Sequence, residues 1–412
     1  MPPVAFPPAE REWNGQVMEL SSLHVAIVGG AIGGASAALL LARAGARVTL
    51  LERAEGARAV GAGIALAENG LAVLEALGFG ADLLRIGSPI DGVRVTDAAQ
   101  RTLFVPPGGT PGQPPRIVMA RRSELYALLA EALADEPLID TRYGVDVRTA
   151  SGDGTLGGSA RGEPFSLQAD LIIGADGVHS RVRESGAFGA RVKRSGISYV
   201  RGLAPAGLAQ GQEAWTSAGL FGSFSVPSGT YWYASLGTPA LRRALANKDL
   251  TGLRVAWAAA YAPSRDLLAT LHGFDQLLIN EVIQVRCARF ADGARVLVGD
   301  AAHAMAPNLG QGANSALVDA AVLLDALRRA SSLEAALRDY DMRRRSKVDR
   351  VAATAARLGA LAELTHPIAR YLRDRVLMPL AGRGDGTAIA RTVWQEAPSE
   401  LTNMVRPGAL AS

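Results

Sequence analysis

A single cysteine, Cys287, among 412 residues leaves no partner for an intramolecular disulfide. That absence excludes a disulfide framework and fits a reducing compartment, with the cytoplasm the expected location. Aromatic side chains make up only 5% of the chain, too few for a base-stacking platform, and neither sign of charge dominates, with 43 Lys and Arg against 39 Asp and Glu. No nucleic-acid partner is therefore expected, and the sequence pI of about 9.4 reflects arginine rather than a basic patch. His179, His272 and His366 stand at no metal-ligand spacing, so no metal site is expected. The first 22 residues carry four prolines and several charges but no apolar stretch, and they are expected to form a flexible tail rather than a signal peptide or anchor. There is no internal repeat.

Against these absences stand 46 glycines and 49% apolar residues, enough for large cores and two interleaved domains. The run Val25–Ala42 carries no charge and is long enough to suggest a membrane span. Its glycines argue otherwise. Residues 24–28 (HVAIV) read as a strand, Gly29 to Gly34 as a turn, Ala35 to Ala44 as a helix ended by Gly45, and 47–51 (RVTLL) as a second strand. Such a turn lets backbone approach a pyrophosphate while the helix aims free N–H groups at the phosphates. Glu52 follows Gly29 by 23 residues, a spacing suited to an acid on ribose hydroxyls. In G-x-G-x-x-G the glycines would be 29, 31 and 34, and position 31 is Ala; this fingerprint alone does not separate FAD from NAD.

Two later stretches favour FAD. In "QADLIIGADGVHSRVR" (168–183), a strand ends in a Gly-Ala-Asp-Gly turn before a helix. In "RVLVGDAAHAMAPNLGQGAN" (295–314), a strand ends at Gly299-Asp300, and a second glycine turn at Gly310-Gln311-Gly312 opens a long helix. Asp300 suits a ribityl hydroxyl, and a helix N-terminus at 310–314 suits the electron-rich pyrimidine edge of a reduced flavin.

Together with the N-terminal fingerprint, these stretches resemble the single-component FAD-dependent aromatic hydroxylases of the para-hydroxybenzoate hydroxylase type, the class A flavoprotein monooxygenases, from about residue 24 to 350. The length resembles the salicylate hydroxylase branch, and "GAGIALAENGLAVLEALG" (61–78) and "ARRSEL" (120–125) are also similar to the family. The resemblance implies FAD as cofactor, NADPH or NADH as transient reductant, O₂ as co-substrate, and oxygen transfer from a flavin C4a-hydroperoxide to an aromatic or phenolic small molecule. It places cofactor contacts on Gly29, Ala31, Ile32, Gly33, Gly34, Glu52, Arg53, Arg122, Asp176, Asp300 and the loop Gly310, Gln311, Gly312, Ala313 and Asn314. Pro307 matches the proline at the flavin's substrate face. Arg181 falls in the segment implicated in both cofactors. A FAD-dependent epoxidase or another oxygenase of the same fold, acting on a non-aromatic substrate, stays open.

The expected fold is α/β: a Rossmann-like FAD-binding domain (23–95, 115–185, 285–365) with an inserted mixed or antiparallel β-sheet substrate domain (96–114, 186–284) and C-terminal helices. Residues 1–22 would be a tail and 366–412 a helix and tail. A monomer or homodimer without stable membrane insertion is expected. "GLFGSFSVPSG" and "TYWYASLG" read as a hairpin around Pro227-Ser228-Gly229. Alternation puts Tyr231 and Tyr233 on one face and Trp232 on the other. If that tyrosine face meets the flavin, Tyr231 would orient or deprotonate a phenol; packing inside the sheet is the competing role. Arg201 could pair with a carboxylate, though nothing sets it apart from other arginines. His303 is read as fixing the Asp300 loop, and Arg343-Arg344-Arg345 as a solvated helix face.

Overall fold

The computed structural model describes residues 18–56, 63–105, 116–381 and 392–406. Strand β1 (His24–Val28) is dominated by β-branched residues; Gly29 turns the chain at φ +101°, and α1 (Ile32–Arg43) crosses to β2 (Arg47–Glu52), parallel to β1. The charge-free run is thus split between a strand, a turn and a 12-residue helix. Among the described residues no helix is long and apolar enough to cross a membrane.

The chain continues through β3 (Gly63–Ala67), α2 (Glu68–Ala76), α3 (Gly80–Ile86), β4 (Gly87–Asp91), β5 (Arg94–Asp97), β6 (Thr102–Phe104) and β7 (Arg116–Arg121). After α4 (Arg122–Asp135) come β8 (Ile139–Tyr143), the small meander β9 (Val145–Ala150), β10 (Thr155–Ala160) and β11 (Glu163–Gln168), then β12 (Leu171–Gly174) and α5 (Arg181–Glu184). The long β13 (Arg191–Ala204) leads to β14 (Gln212–Trp215), β15 (Leu220–Val226) and β16 (Gly229–Ser235), followed by α6 (Pro239–Ala246), α7 (Leu250–Ala260) and α8 (Ser264–Ala269). β17 (Leu278–Arg286), β18 (Ala291–Asp292) and β19 (Arg295–Leu297) return the chain to α9 (Asp300–His303), α10 (Gln311–Arg329) and α11 (Leu333–Ala362). Helices α12 (Pro367–Leu372), α13 (Met378–Ala381) and α14 (Pro398–Val405) complete it.

A six-stranded sheet has the order β18-β19-β12-β1-β2-β8, parallel except for β18. Its central strands β1 and β12 are apolar but for His24, as parallel strands covered on both faces must be. β2 and β12 flank β1, which makes the C-terminal ends of β1 and β12 the crevice where such sheets bind ligands. The second large sheet, β17-β13-β16-β15-β14-β5-β6, is antiparallel apart from the β5–β14 pair. It draws on 94–104 and 191–286, and the β15–β16 hairpin turns at the Pro227–Gly229 segment. A three-stranded sheet, β3-β7-β4, lies between the two, with β7 against β15 and β3 against α10.

Both expected tails are shorter than the sequence suggests. Met18 and Leu20 are buried in the main core, and the Met18 N–H donates to the Ala330 carbonyl, so a tail over 1–22 would stop before Met18; residues 1–17 lie outside the described residues. At the other end, α14 buries Leu401 and Val405, one helical turn apart, against α2 and α10. That apolar pair turns part of the expected C-terminal tail into core.

Candidate active site

The turns after β1 and β12 meet at the crevice. At Gly29 a Cβ would lie 2.5 Å from the Ala175 carbonyl oxygen; at Gly34, in the first turn of α1, it would lie 1.9 Å from the Gly29 carbonyl oxygen. Only glycine lets the helix start this close to the strand. Gly33 approaches α10 at Ala316 in the same way, with 3.0 Å to the Ala316 methyl. Glu52 accepts the Gly30 N–H at 2.8 Å through Oε2 and the Ala54 N–H at 2.8 Å through Oε1. The acid therefore braces the turn and keeps further acceptor sites on both oxygens. Ala31 precedes α1 without a side-chain cap, so the N–H groups of the first helical turn remain for a ligand. Ala31, Ile32 and Gly33 line a cavity of about 600 Å³.

The other side of this cavity comes from residues 298–313. Gly299, at φ +58°, donates its N–H to Asp319 Oδ2 at 2.8 Å and turns Asp300 into the cavity wall at the start of α9. Pro307 opens a short turn ended by Gly310 at φ +62°, and α10 begins at Gln311. Backbone from Gly310 to Ala313 lines the cavity, as does Arg122 at the start of α4. These elements fit a flavin dinucleotide: two uncapped helix starts face one cavity, and side-chain-free turns leave room for the cofactor's backbone-hugging pyrophosphate.

Several expected cofactor contacts have side chains engaged elsewhere, although Gln311 itself is among the cavity-lining residues. The Gln311 and Asn314 side chains turn away and stitch α10 to the β3–α2 corner: Asn314 accepts the Ala67 N–H at 3.0 Å and donates to the Ala65 carbonyl at 2.9 Å, while Gln311 accepts from Asn69 at 3.0 Å. Asp176 Oδ2 accepts the N–H groups of Arg181 (2.6 Å) and Val182 (3.2 Å) at the start of α5, beside the N-cap Ser180, which takes the Arg183 N–H; the Asp176 Oδ1 is buried without a partner, and burial pushes its pKa up. Its neighbours Ala175 and Gly177 line the cavity instead. Arg53 is exposed and outside the cavity wall, as is Arg181, which pairs with Glu184 at 2.7 Å.

The seven-stranded sheet roofs the cavity. Alternation sends Val200, Phe221, Trp232 and Ala234 outward onto α6–α8, where Phe221 stacks on Trp232 and meets Trp257. The opposite face presents Tyr199, Arg201, Glu213, Trp215, Tyr231 and Tyr233 to the cavity. Tyr231 lies against Gly63, where a Cβ would be 2.3 Å from its ring. Burial pushes the Tyr231 hydroxyl pKa up, with Arg201 working against that shift. A protonated hydroxyl orients a ligand by hydrogen bonding and is no base at neutral pH, which narrows the two roles expected for Tyr231. Tyr199 accepts from Asn308, in the Pro307 turn, at 3.1 Å and so ties the roof to the floor.

Beneath the site runs a buried polar network. Asp319 takes His303 Nε2 at 2.6 Å, the Gly299 N–H, and Arg344 Nε at 2.7 Å. Arg344 also donates to Gln395. Burial opposes ionisation of Asp319, but His303, Arg344 and the hydrogen bonds outweigh it and hold its pKa down at about 2. Arg344 is fully buried, so the expected solvated face of the 343–345 run fails at its middle residue, which α11 turns inward toward Asp319. Sequence reading passed over Tyr199, Gly63, Glu213 and Trp215, and left the segment holding Val393 and Trp394 unassigned; all line the cavity.

The chain matches the model of the FAD binding domain family over residues 22–213 and 254–355. It is 30% identical over 384 residues to the 2-heptyl-3-hydroxy-4(1H)-quinolone synthase of Pseudomonas aeruginosa, covering 88% of this chain and 96% of that protein. It is 30% identical over 402 residues to the kynurenine 3-monooxygenase of Salinispora arenicola, covering 86% and 81%. Among solved structures, the tetrameric form of 2-methyl-3-hydroxypyridine-5-carboxylic acid oxygenase superposes with a TM-score of 0.74 at 25% identity, covering 92% of this chain and 97% of the other.

Proposed function

The chain belongs to the FAD binding domain family and is a FAD-dependent aromatic monooxygenase; from that premise we propose that it consumes NADH or NADPH and O₂ to hydroxylate an aromatic ring held between the Pro307 turn and the Tyr231 face of the sheet. The six-stranded-sheet half would hold FAD and the seven-stranded sheet would face the substrate. The observation that carries this reading is the joining of two uncapped helix starts and a sheet of aromatic side chains around one cavity of about 600 Å³.

When bound, FAD supplies the chemistry that this chain lacks: acceptance of a hydride from the nicotinamide and activation of O₂ at flavin C4a. The protein's share is binding, orientation and exclusion of water. Gly29, Gly34 and the α1 N-terminus would hold the pyrophosphate, Glu52 the adenosine ribose, and Asp300 the ribityl chain. The α10 N-terminus would offset negative charge at the pyrimidine edge. Tyr231, kept protonated by burial, would orient the substrate, and the Arg201 guanidinium beside it would favour a phenolate over a phenol. The apolar and aromatic roof keeps water from the reacting atoms.

By name, one of the relatives above makes a 3-hydroxy-4(1H)-quinolone, the other acts on kynurenine, and the solved structure is an oxygenase of a hydroxypyridine carboxylic acid. Those rings form the natural panel for a test. The purified protein is expected to be yellow, and its NAD(P)H oxidation in air should accelerate with one ring class and yield a product heavier by one oxygen. A flavin-bearing protein unresponsive to every aromatic would favour a non-aromatic substrate such as the alkene of an epoxidase.

A further inference from the structure

Three acids line the cavity among the described residues, Glu68, Glu213 and Asp300, and only Glu213 is buried. Its two oxygens each accept one hydrogen bond from a neutral donor: Oε1 from Trp215 Nε1 at 2.7 Å and Oε2 from the Tyr233 hydroxyl at 2.7 Å. Among the described residues no Lys, Arg or His forms an ion pair with it. An ionised carboxyl offers about four acceptor sites, and these two bonds fill one on each oxygen; burial pushes the Glu213 pKa up, and the hydrogen bonds from Trp215 and Tyr233 work against that shift. Burying such a group without full compensation is costly unless a ligand completes it.

The sheet is shaped to hold this acid in place. Arg201, Tyr233, Gly222 and Glu213 are paired in one row across β13, β16, β15 and β14. Tyr233 reaches Glu213 by lying across the intervening strand at Gly222, where a Cβ would fall 2.4 Å from its ring. Phe224 stacks on Tyr233 at 6.2 Å and 13°, and Phe104 meets Trp215 edge-on at 5.4 Å. The acid therefore stands among aromatic side chains of the cavity lining, on the same roof as Tyr231. As a carboxylate it would be completed by a hydrogen-bond donor on a ring bound beside it.

We propose that Glu213 determines substrate specificity by accepting a hydrogen bond from an N–H on the ring, so that the enzyme selects aromatic rings with a ring N–H or an amino substituent over analogues that lack it and over rings with a carboxylate in its place. This rests on the reading of the chain as an aromatic hydroxylase. A carboxylate placed there would meet Glu213 without an intervening cation, whereas an N–H completes the acid's coordination.

The test uses the flavin-loaded protein and three probes of similar size: 4(1H)-quinolone, its N-methyl derivative, and quinoline-4-carboxylate. Dissociation constants come from perturbation of the flavin spectrum, which needs no turnover, and stimulation of NAD(P)H oxidation is read in parallel. The wild type should bind the N–H probe at least about tenfold more tightly than the N-methyl probe and the carboxylate, the scale of one buried hydrogen bond to a charged or polar group. In Glu213→Gln that ratio should fall and the carboxylate should bind more tightly than it does to wild type. If Glu213→Gln fails to retain flavin, the wild-type ratios alone decide. Binding of the N–H and N-methyl probes within about twofold in the wild type, or an unchanged ratio in Glu213→Gln, overturns the assignment. NAD(P)H oxidation stimulated without N–H preference would contradict only the role of Glu213; selective N–H binding without stimulation by any aromatic would contradict only the hydroxylase reading.

Discussion

Gly34 has no room for a side chain, since even a methyl would lie 1.9 Å from the Gly29 carbonyl oxygen. Gly34→Ala must push α1 off β1, at a cost of about 1–3 kcal/mol for overpacking, and displace the N–H groups that face the phosphates. We expect the purified variant to lose most of its flavin, read as the ratio of flavin to protein absorbance, even where it still folds. Tyr231 makes the opposite case, because it lies against Gly63 on the roof rather than in the nucleotide turn. Tyr231→Phe should retain flavin and lose about tenfold in kcat/KM, the value of one hydrogen bond. Since burial raises the Tyr231 pKa, the hydroxyl stays protonated through neutral pH, and the kcat/KM profile of the variant should run parallel to that of the wild type. Loss of a limb from the profile would show that Tyr231 acts as a base after all.

At the scale of elements, the Asp319 network fixes α9 and the Gly299 turn against α10, α11 and the segment before α14. Removing Arg344 leaves a buried carboxylate without its arginine partner, so Arg344→Met should cost about 3–5 kcal/mol in denaturant unfolding. The Asp319 pKa is depressed in the folded state to about 2, from 3.8 for a free carboxyl. A depressed acid contributes stability that is complete above the unfolded pKa and is lost as pH falls through the folded one. The contribution of Asp319 should therefore fade between about pH 4 and pH 2, and the melting temperature of Asp319→Asn should fall less steeply than that of wild type across that window. This network was barely legible beforehand. His303 was readable as a loop-fixing residue because it sits in the Asp300 loop, but Asp319, Arg344 and Gln395 are far apart in sequence and meet only through helix packing. In contrast, β1, α1 and β2 were legible because glycine punctuation and hydrophobic period act over a few residues.

For the whole molecule, the two-sheet plan could be read because strand alternation in 220–235 and the three turn-and-acid stretches are local signals. The β3-β7-β4 sheet and the roles of Glu213, Tyr199 and Trp394 depend on contacts between distant segments, and the sequence carries no local mark of them. Flavin binds only the folded state, so it should raise the melting temperature of the flavin-stripped protein in proportion to the logarithm of free FAD above its Kd. The central claim, that the cavity holds FAD against an aromatic ring for oxygen transfer, is tested most directly by NAD(P)H consumption in air with quinolone, kynurenine and hydroxypyridine rings, coupled to product mass. The account predicts a yellow protein, faster consumption with one of these ring classes, and a product heavier by one oxygen; a protein that holds no flavin after incubation with FAD would contradict it.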